Sequence, residues 1–272
     1  AGSFLLADFA FATFMRTIIL AAGEGKRLRP HTEDIPKCLV SINGAPLIHR
    51  QLSILENLGY EVILVVGWQS NQLKQLNVRM IKNPQFSTTN MVSTLYCARK
   101  YLRGRLIISY GDIAYSPTIL RSLNNCGADI ATVVDLNWKE YWSKRIDNPL
   151  EDLETMRIND KNFITQLGAK PLSLDEIQGQ YIGLTYLSPR GSIVLKTTLQ
   201  DCYHIGFVNG KPFEAAYFTD LIQEIINRGY DVAAVKTEQL WIELDTVEDL
   251  ESTVTVSRLD HIDTEIIATL EK

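Results

Sequence analysis

Residues 17–30 read Thr-Ile-Ile-Leu-Ala-Ala-Gly-Glu-Gly-Lys-Arg-Leu-Arg-Pro, and this stretch decides the fold. Its first six residues predict a buried strand that ends at Gly23. Gly23 and Gly25, directly after the strand, let the backbone approach a ligand and expose amide donors to phosphate oxygens. Arg27 would neutralise the charge of a triphosphate in this loop, and Lys37, from the far end of the loop, would support the reacting phosphorus.

Three other interpretations of this glycine-rich loop compete with a triphosphate site. A Rossmann fingerprint needs a third glycine, but Leu28 stands at that place. A P-loop needs Gly-Lys followed by Ser or Thr after four spacer residues, and the chain has no such run. The third alternative, a tight turn beside a solvated basic patch, stays open here, although the strand before the loop argues against it.

Beyond the loop, short apolar runs alternate with longer amphipathic ones. The apolar runs are continuous, which predicts strands of a parallel sheet covered by helices on both faces. In such a sheet the ligand lies beyond the carboxyl ends of the strands. The loops after Ala22, Ile81 and Ile108 should therefore lie together around one binding cleft at this edge of the sheet. The predicted strands span 17–22, 62–67, 78–81 and 106–108, and the predicted helices span 46–58, 69–76 and 91–101.

The second half of the chain is less regular and predicts both parallel and antiparallel strands. These strands are expected over 130–134, 153–158, 163–167, 181–187, 232–235 and 241–244, with helices over 218–227 and from 247 onward. The predicted fold class is therefore α/β, with a Rossmann-like mixed, mainly parallel sheet, flanking helices and a small antiparallel insertion.

We expect a single domain over residues 15–272, in which residues 136–190 form an acceptor-side insertion. Residues 1–14 are interpreted as a tag or extension. Ala1-Gly2-Ser3 resembles a cloning scar, and the apolar segment after it is too short to span a bilayer and lacks the charges of a signal peptide.

The composition excludes several classes of protein. With 46% hydrophobic and 22% charged residues the chain can bury a full core, which excludes a disordered or low-complexity protein. A net charge of -5 argues against a nucleic-acid partner, which would favour a basic excess. The four cysteines, at 38, 97, 126 and 202, form no close pair, so we expect reduced thiols in a cytoplasmic protein and no zinc ribbon.

Five segments resemble, in order, the motifs of the nucleotidyltransferases of the MobA-like and sugar-phosphate type. They are the glycine-rich loop with Pro36-Lys37, Tyr110-Gly111-Asp112, Gly168-Ala169-Lys170-Pro171, residues 179–184, and residues 241–246. In the third segment Ala169 replaces the glutamate that is usual in the family. Within the family, the sequence most resembles cytidylyltransferases that act on phosphocholine or 2-aminoethylphosphonate. The segments that carry this resemblance are residues 90–95, 148–154, 178–184 and 241–245.

The resemblance implies that an acceptor phosphate or phosphonate oxygen attacks the α-phosphorus of a nucleotide in line and expels pyrophosphate. Both reactants are anionic, so catalysis must neutralise and align them without a covalent enzyme intermediate. Lys37 and Arg27 would offset the charge of the triphosphate. Lys170 would hold the phosphate of the acceptor, although a lysine before a proline is also common in an ordinary surface loop.

The resemblance also implies Mg²⁺ as the cofactor. Asp112 and Asp245 are the implied metal ligands, and Glu243 is an auxiliary candidate because it alternates with Asp245 on one strand and shares its face. Each aspartate has a purely structural alternative. Asp112 precedes a turn, and Asp245 precedes the last helix, where it would serve as an N-cap.

The nucleotide-binding candidates lie on the first loop, on the loop after the third strand, and beside the metal site. In the second loop a small polar side chain before an amphipathic run is also an ordinary helix N-cap, so for Asn90 both roles stay open. The candidates are Leu20, Ala21, Ala22, Gly23, Gly25, Thr88, Thr89, Asn90 and Asp112.

The acceptor-binding candidates are aromatic and acidic, a combination that suits an ammonium group. The alternative is that the aromatic side chains pack the insertion against the sheet, which is the more common use of a tryptophan. The acceptor-binding candidates are Trp138, Glu154, Lys170, Tyr181 and Trp241, with Tyr141 and Trp142 as further walls and Asp135, Glu151 and Asp152 as further counter-charges.

The sequence therefore predicts a cytoplasmic, CTP-dependent cytidylyltransferase that joins CMP to a small phosphorylated or phosphonate acceptor, in cell-surface polysaccharide biosynthesis. The acceptor would be phosphocholine-like, 2-aminoethylphosphonate-like or related. No nucleic-acid or membrane partner is expected, and a homodimer stays open. Two alternatives remain: a sugar-1-phosphate nucleotidyltransferase using UTP or dTTP, and a non-catalytic nucleotide-binding regulatory domain.

Overall fold

The computed structural model describes residues 15–145, 150, 152–238 and 240–271. The predictions for residues 1–14, for 146–149 and for Glu151 lie outside the described residues. The strands are β1 (Met15–Ala21), β2 (Ser41–Ile42), β3 (Ala45–Pro46), β4 (Glu61–Val66), β5 (Arg79–Lys82), β6 (Arg105–Tyr110), β7 (Ile113–Tyr115), β8 (Ile130–Asp135), β9 (Met156–Ile158), β10 (Ile164–Leu167), β11 (Gln180–Leu187), β12 (Phe207–Val208), β13 (Lys211–Pro212), β14 (Ala233–Thr237) and β15 (Trp241–Glu243). The α-helices are α1 (Leu47–Asn57), α2 (Met91–Cys97), α3 (Pro117–Asn124), α4 (Trp138–Ser143), α5 (Pro189–Ile205), α6 (Phe218–Asn227), α7 (Val247–Glu251) and α8 (Thr253–Leu270).

Seven strands form the central sheet, in the order β14-β8-β11-β6-β1-β4-β5. β1 pairs in parallel with both β4 and β6, and the pairs β4–β5 and β8–β14 are parallel as well. β11 runs antiparallel between β6 and β8. The structure therefore confirms the predicted α/β fold, with a mixed, mainly parallel sheet and small antiparallel sheets beside it.

The apolar composition of the central strands requires cover on both faces of the sheet. β1 is buried from Met15 to Leu20, and β4 is buried from Val62 to Val66. Successive side chains of a strand point to opposite faces, so a fully buried strand needs a layer of helices on each side. Helices α1 and α3 both pack on α8, whereas α2 and α5 both pack on α6. No helix in the described part of the chain combines the length and apolarity needed to cross a membrane.

Four features differ from the sequence prediction. The predicted helix over 91–101 ends at Cys97 and continues as a 3₁₀ turn, and the predicted helix over 69–76 is a 3₁₀ helix over Ser70–Leu76. The predicted strand over 153–158 is shortened to β9. β11, which lies within the predicted insertion, belongs to the central sheet, where it is buried and pairs with β6 on one side and β8 on the other.

The site is positioned by the edge where β1 and β6 end together. Because these strands are parallel neighbours, the loops that follow them leave the sheet on the same side. The Gly111 amide donates to the Leu20 carbonyl at 2.9 Å, which ties the two loops together. A separate two-stranded ladder of β7 and β15 brings Glu243 opposite Ile113, and the Leu244 amide donates to the Asp112 carbonyl at 3.0 Å. The acidic segments of two distant parts of the chain are therefore joined through their backbones.

Gly67, directly after β4, supports the first loop by having no side chain. A Cβ at this position would lie 2.4 Å from the Ala22 carbonyl oxygen and 2.5 Å from Phe86 Cβ. We expect Gly67→Ala to displace the loop and to lower the free energy of unfolding by about 1–3 kcal/mol, measured by urea titration.

The control for this prediction is Gly23→Ala, the same substitution on the facing loop. A Cβ on Gly23 meets no atom within 4 Å. We expect its free energy of unfolding to change by less than about 1 kcal/mol. If Gly67→Ala proved as stable as the unmodified protein, the close approach of these two loops would be wrong.

Candidate active site

Two cavities open at the carboxyl edge of the sheet and share Met91 and Asp112 on their walls. The second has a volume of about 610 Å³, enough for a small organic acceptor. The first, the nucleotide cavity, is lined by Leu20, Ala21, Ala22, Gly23, Lys37, Cys38, Phe86, Thr89, Asn90, Met91, Thr94, Gly111 and Asp112. The second, the acceptor cavity, is lined by Arg27, Met91, Tyr110, Asp112, Trp142, Asp152, Leu153, Glu154, Gly168, Ala169, Lys170, Gln180, Tyr181, Lys211, Tyr217, Thr219, Glu243 and Asp245.

Three carboxylates meet where the two cavities join. One oxygen from each of Asp112, Glu243 and Asp245 lies within 4.8 Å of the other two. Asp112 follows β6, whereas Glu243 ends β15 and Asp245 follows it, so the β7–β15 ladder sets their separation. The fold therefore brings together two sequence motifs, at Asp112 and Asp245, that lie about 130 residues apart in the chain.

Lys37 places its ammonium group among these carboxylates. Its Nζ donates to Asp112 Oδ2 at 2.6 Å and also to Asp245 Oδ1. Burial by itself would lower the pKa of Lys37, but Asp112 and Asp245 outweigh burial and raise that pKa well above its usual range. Lys37 is therefore a permanent positive charge at the junction of the two cavities.

Arg27 supplies a second, more exposed positive charge. One guanidinium nitrogen lies 3.1 Å from Asp245 Oδ2 and another lies 3.3 Å from Asp152 Oδ1. Its side chain keeps 59% of its surface exposed, so it faces the open cavity. Burial would lower the pKa of Arg27, but Asp245 and Asp152 raise it. Arg27 is placed to meet an anion that enters the acceptor cavity.

The carboxylate group has the chemistry of a divalent-cation site. Asp112 Oδ1 is buried and accepts no hydrogen bond from the described residues. This oxygen is therefore available to coordinate a cation. Burial, and then the charges of Asp245 and Asp112, raise the pKa of Glu243 well above its ordinary value. An all-oxygen donor set of carboxylates suits Mg²⁺, whose charge would relieve this repulsion. The residues present therefore fit Mg²⁺.

A buried ion pair holds the loop that carries Asp245. The side chain of Arg145 is 1% exposed and that of Asp249 is 3% exposed, and the two form a two-pronged contact at 2.7 and 3.0 Å. Asp249 Oδ2 also accepts hydrogen bonds from the Asp245 and Thr246 amides, at 2.7 and 3.0 Å. A further Arg145 nitrogen lies 3.8 Å from Glu243. The pair therefore fixes the backbone of one metal-ligand candidate and faces the carboxylate of another.

The structure separates the predicted nucleotide-binding residues into two groups. Most of them line the nucleotide cavity, namely Leu20, Ala21, Ala22, Gly23, Thr89, Asn90 and Asp112. Gly25 and Thr88 do not. Gly25 adopts a left-handed conformation with φ of 62°, and its carbonyl accepts a hydrogen bond from Thr32 Oγ1 at 2.7 Å, so it shapes the loop. Thr88 is exposed and its hydroxyl donates to the Gln85 carbonyl at 3.3 Å.

Asn90 has the capping role that the sequence left open, and it also lies on the cavity wall. Its Oδ1 accepts a hydrogen bond from the Met91 amide at 2.8 Å at the start of α2. The backbone amide of Asn90 donates to the Glu214 carbonyl at 2.7 Å. The two roles therefore coexist, because the side chain caps the helix while its exposed edge faces the nucleotide cavity.

Among the predicted acceptor-binding residues, Glu154, Lys170 and Tyr181 line the acceptor cavity, whereas Trp138 and Trp241 do not. Trp138 is 3% exposed and Trp241 is 1% exposed, so their prediction as walls of the acceptor site is corrected. Trp241 Nε1 donates to Asp135 Oδ2 at 2.8 Å. Burial of two large rings stabilises the core more than exposure to a ligand would, and this explains their position.

The further walls and counter-charges also divide. Trp142 and Asp152 line the acceptor cavity, and Trp142 Nε1 lies 3.3 Å from Asp152 Oδ2. Tyr141 is fully buried against Trp142 and Trp241. Asp135 is fully buried as well and accepts the hydrogen bond from Trp241 Nε1, so it is not a counter-charge in the cavity.

Sequence reasoning missed several residues that the fold brings to the site. Tyr110 belongs to the Tyr110-Gly111-Asp112 motif, but only Asp112 was predicted as a ligand. The other missed residues lie outside the predicted insertion; they are Lys211, Tyr217 and Thr219. Nothing in the local pattern around β13 and the start of α6 marks these residues as ligands. Asp249 had a signal, since it lies three residues after Thr246 in a capping-box pattern that the structure shows.

We expect Asp249→Ala to destabilise the protein strongly, because it leaves Arg145 as a buried, unpaired charge. Breaking such a pair costs about 3–5 kcal/mol, measured by urea unfolding. The control is Lys144→Ala, which removes the exposed contact with Glu140 at 2.7 Å. That substitution should cost no more than about 0.5 kcal/mol. Equal losses for the two variants would contradict the role assigned to the buried pair.

Comparison with known proteins places this geometry in context. A family model described as a MobA-like NTP transferase domain matches residues 17–162. The CTP:phosphoglutamine cytidylyltransferase of Campylobacter jejuni is 36% identical over 249 residues, which are 87% of this chain and 98% of that protein. The choline-phosphate cytidylyltransferase of Streptococcus pneumoniae is 38% identical over 99 residues, 35% of this chain and 43% of that protein.

Solved structures show the same fold. The CTP:phosphocholine cytidylyltransferase from Streptococcus pneumoniae superposes with a TM-score of 0.70 at 22% sequence identity. The similarity covers 94% of this chain and 99% of that chain. The central sheet and its helical layers are thus shared over nearly the whole length of both.

Proposed function

The chain belongs to the MobA-like NTP transferase family, and from this premise we propose that it transfers CMP from CTP to a small phosphorylated or phosphonate acceptor, releasing pyrophosphate. The family match confirms the resemblance found in the sequence motifs. The relatives reported above are named as CTP-dependent cytidylyltransferases, which supports the choice of nucleotide and of acceptor class.

The observation that carries the proposal is the meeting of two cavities at Asp112, with Lys37 and Arg27 beside it. A nucleotidyl transfer needs two anionic reactants in one place, and it needs positive charge where they meet. The nucleotide cavity is bounded by the glycine-rich loop, and the acceptor cavity by Lys170 and Arg27. The site therefore provides separate binding volumes and a shared, charged junction.

In the proposed reaction the amides of the first loop contact the phosphates of CTP. Lys37 stays protonated, because its pKa is raised, and it donates to the α-phosphate oxygens in place of its carboxylate partners. Arg27, beside Asp245 at the junction of the two cavities, offsets the charge of the phosphates that meet there. Mg²⁺ bound by Asp112 and Asp245 would act as a Lewis acid toward the phosphoryl oxygens.

Lys170 is proposed to orient the acceptor. It lies on the wall of the acceptor cavity, in the loop after β10, where Gly168 and Ala169 bring the backbone to the surface of the cavity. The Ala169 carbonyl accepts a hydrogen bond from the Thr155 amide at 2.8 Å, which fixes this loop against the neighbouring segment. A lysine held here would keep the acceptor phosphate in line with the junction.

Pyrophosphate release tests the proposal together with its alternatives. We expect release with CTP and Mg²⁺ in the presence of a phosphorylated or phosphonate amine, and much less with UTP, dTTP or purine nucleotides. Turnover of UTP or dTTP with a hexose 1-phosphate would instead support the sugar-phosphate alternative. Silence across a broad panel of nucleotides and acceptors would support a non-catalytic binding domain.

Removing one carboxylate of the junction should stop turnover without unfolding the protein. We expect Asp112→Asn and Asp245→Asn each to lower kcat at least about 100-fold and to weaken Mn²⁺ binding, followed by electron paramagnetic resonance. The control is Asp175→Asn, an exposed carboxylate outside both cavities, which should behave as the unmodified protein. Near-normal rates and Mn²⁺ affinity in both junction variants would refute the metal assignment.

A further inference from the structure

Glu154 differs from the other carboxylates that line the acceptor cavity. Among the described residues, it has no basic side chain within 4 Å, and its one hydrogen-bond partner is the Thr219 hydroxyl, 3.3 Å from Oε1. Every other carboxylate of the cavity has such a partner: Asp112 has Lys37, Asp152 has Arg27, Asp245 has Arg27 and Lys37, and Glu243 has Arg145 at 3.8 Å.

The backbone around Glu154 is held in place, so the carboxylate does not leave the cavity easily. The Glu154 carbonyl accepts a hydrogen bond from Gln180 Nε2 at 2.8 Å. The next residue, Thr155, is buried and is hydrogen-bonded through its amide to the Ala169 carbonyl. A fixed carboxylate of this kind is a position for a cation, which no described residue supplies within 4 Å.

Burial raises the pKa of Glu154 to about 7, because the charged form is poorly solvated. The neighbouring charges do not remove this effect. Asp220 and Asp152 raise the pKa further, while the Thr219 hydrogen bond and Lys211 lower it. Lys211 is itself engaged with Asp220, at 2.9 Å. The surroundings of Glu154 therefore disfavour the charge of its carboxylate, which a cationic ligand would stabilise.

Among the described residues, the aromatic walls of the acceptor cavity are Tyr110, Trp142, Tyr181 and Tyr217, and two tryptophans expected as walls are not among them. Trp138 and Trp241 are in the core, and Trp142 binds Asp152 through its Nε1. The Tyr110 and Tyr181 rings are in direct edge-to-face contact, with centroids 5.6 Å apart, which leaves no room for a trimethylammonium group between them. A trimethylammonium group has no N–H donor and depends on aromatic faces, whereas a primary ammonium group has three donors for a carboxylate.

Resting on the proposed function, we propose that the acceptor carries a primary ammonium group, which binds Glu154 while its phosphate or phosphonate lies at the Lys37 junction. Glu154 is thus the residue that selects the acceptor. Aminoalkyl phosphates, aminoalkylphosphonates and phosphorylated amino acids share this chemistry, and a panel of acceptors distinguishes them.

The test uses three acceptors that differ only at the end away from the phosphate. They are ethanolamine phosphate, choline phosphate and 2-hydroxyethyl phosphate, with 2-aminoethylphosphonate and glutamine phosphate as further arms. With CTP, we expect kcat/KM for ethanolamine phosphate to exceed that for each of the other two matched acceptors at least about 10-fold. In Glu154→Gln this preference should fall at least about 10-fold. Glu56→Gln, the same change on the exposed side of α1, is the control and should keep the preference.

Thermal unfolding gives a second readout that does not depend on turnover. The pKa of Glu154 is above its unfolded value, so between about pH 4.5 and pH 7 the folded state keeps a proton that the unfolded state loses, and stability falls as the pH rises through this range. Without acceptor, Glu154→Gln should therefore raise Tm at about pH 8 and leave it unchanged at about pH 4.5. Ethanolamine phosphate should raise the Tm of the unmodified protein more than that of the variant.

The possible results separate the two proposals. If CTP is used but choline phosphate or 2-hydroxyethyl phosphate serves as well as ethanolamine phosphate, the ammonium assignment is overturned and the proposed function stands. The same holds if Glu154→Gln keeps the full preference. If no nucleotide releases pyrophosphate with any acceptor, the proposed function fails, and the assignment that rests on it fails with it.

Discussion

Lys37 places a permanent positive charge between Asp112 and Asp245, and the rest of the catalytic edge is arranged around this contact. Without a cation, three carboxylates this close together would repel one another and the loops that carry them would separate. The ammonium group balances this repulsion in the free protein. Under the proposed function, the same group would be available to phosphate when the carboxylates hold a divalent cation, so one side chain would serve both the free protein and the reaction.

Much of the fold could be predicted because its signals are local. A buried strand followed by glycines and basic residues identified β1 and its loop, and continuous apolar runs predicted that β4 and β6 are strands of the same parallel sheet. The strand pairs that depend on distant partners were harder. β7 has only three residues and exists through its pairing with β15. Likewise, nothing local shows that β11 enters the central sheet between two strands that precede it in the chain.

The site divides in the same way. Residues in motifs, such as Lys37, Asp112 and Asp245, were found because each motif combines a residue type with a position in the fold. The tryptophans were misplaced because an aromatic side chain near a predicted pocket satisfies two needs, core packing and ligand contact, and sequence cannot rank them. Arg145 and Lys211 were missed because a single basic residue gains its meaning only from partners that lie far along the chain.

The Arg145–Asp249 pair joins a helix of the acceptor-side segment to the segment that carries Asp245. A change at Arg145 would therefore reach the backbone of Asp245, although the two residues belong to separate stretches of sequence. A chimaera that imports residues 136–190 from a relative to change its specificity would need to import a matching partner for Asp249 as well. A replacement segment without a cation at the position of Arg145, just after α4, would leave Asp249 buried and unpaired.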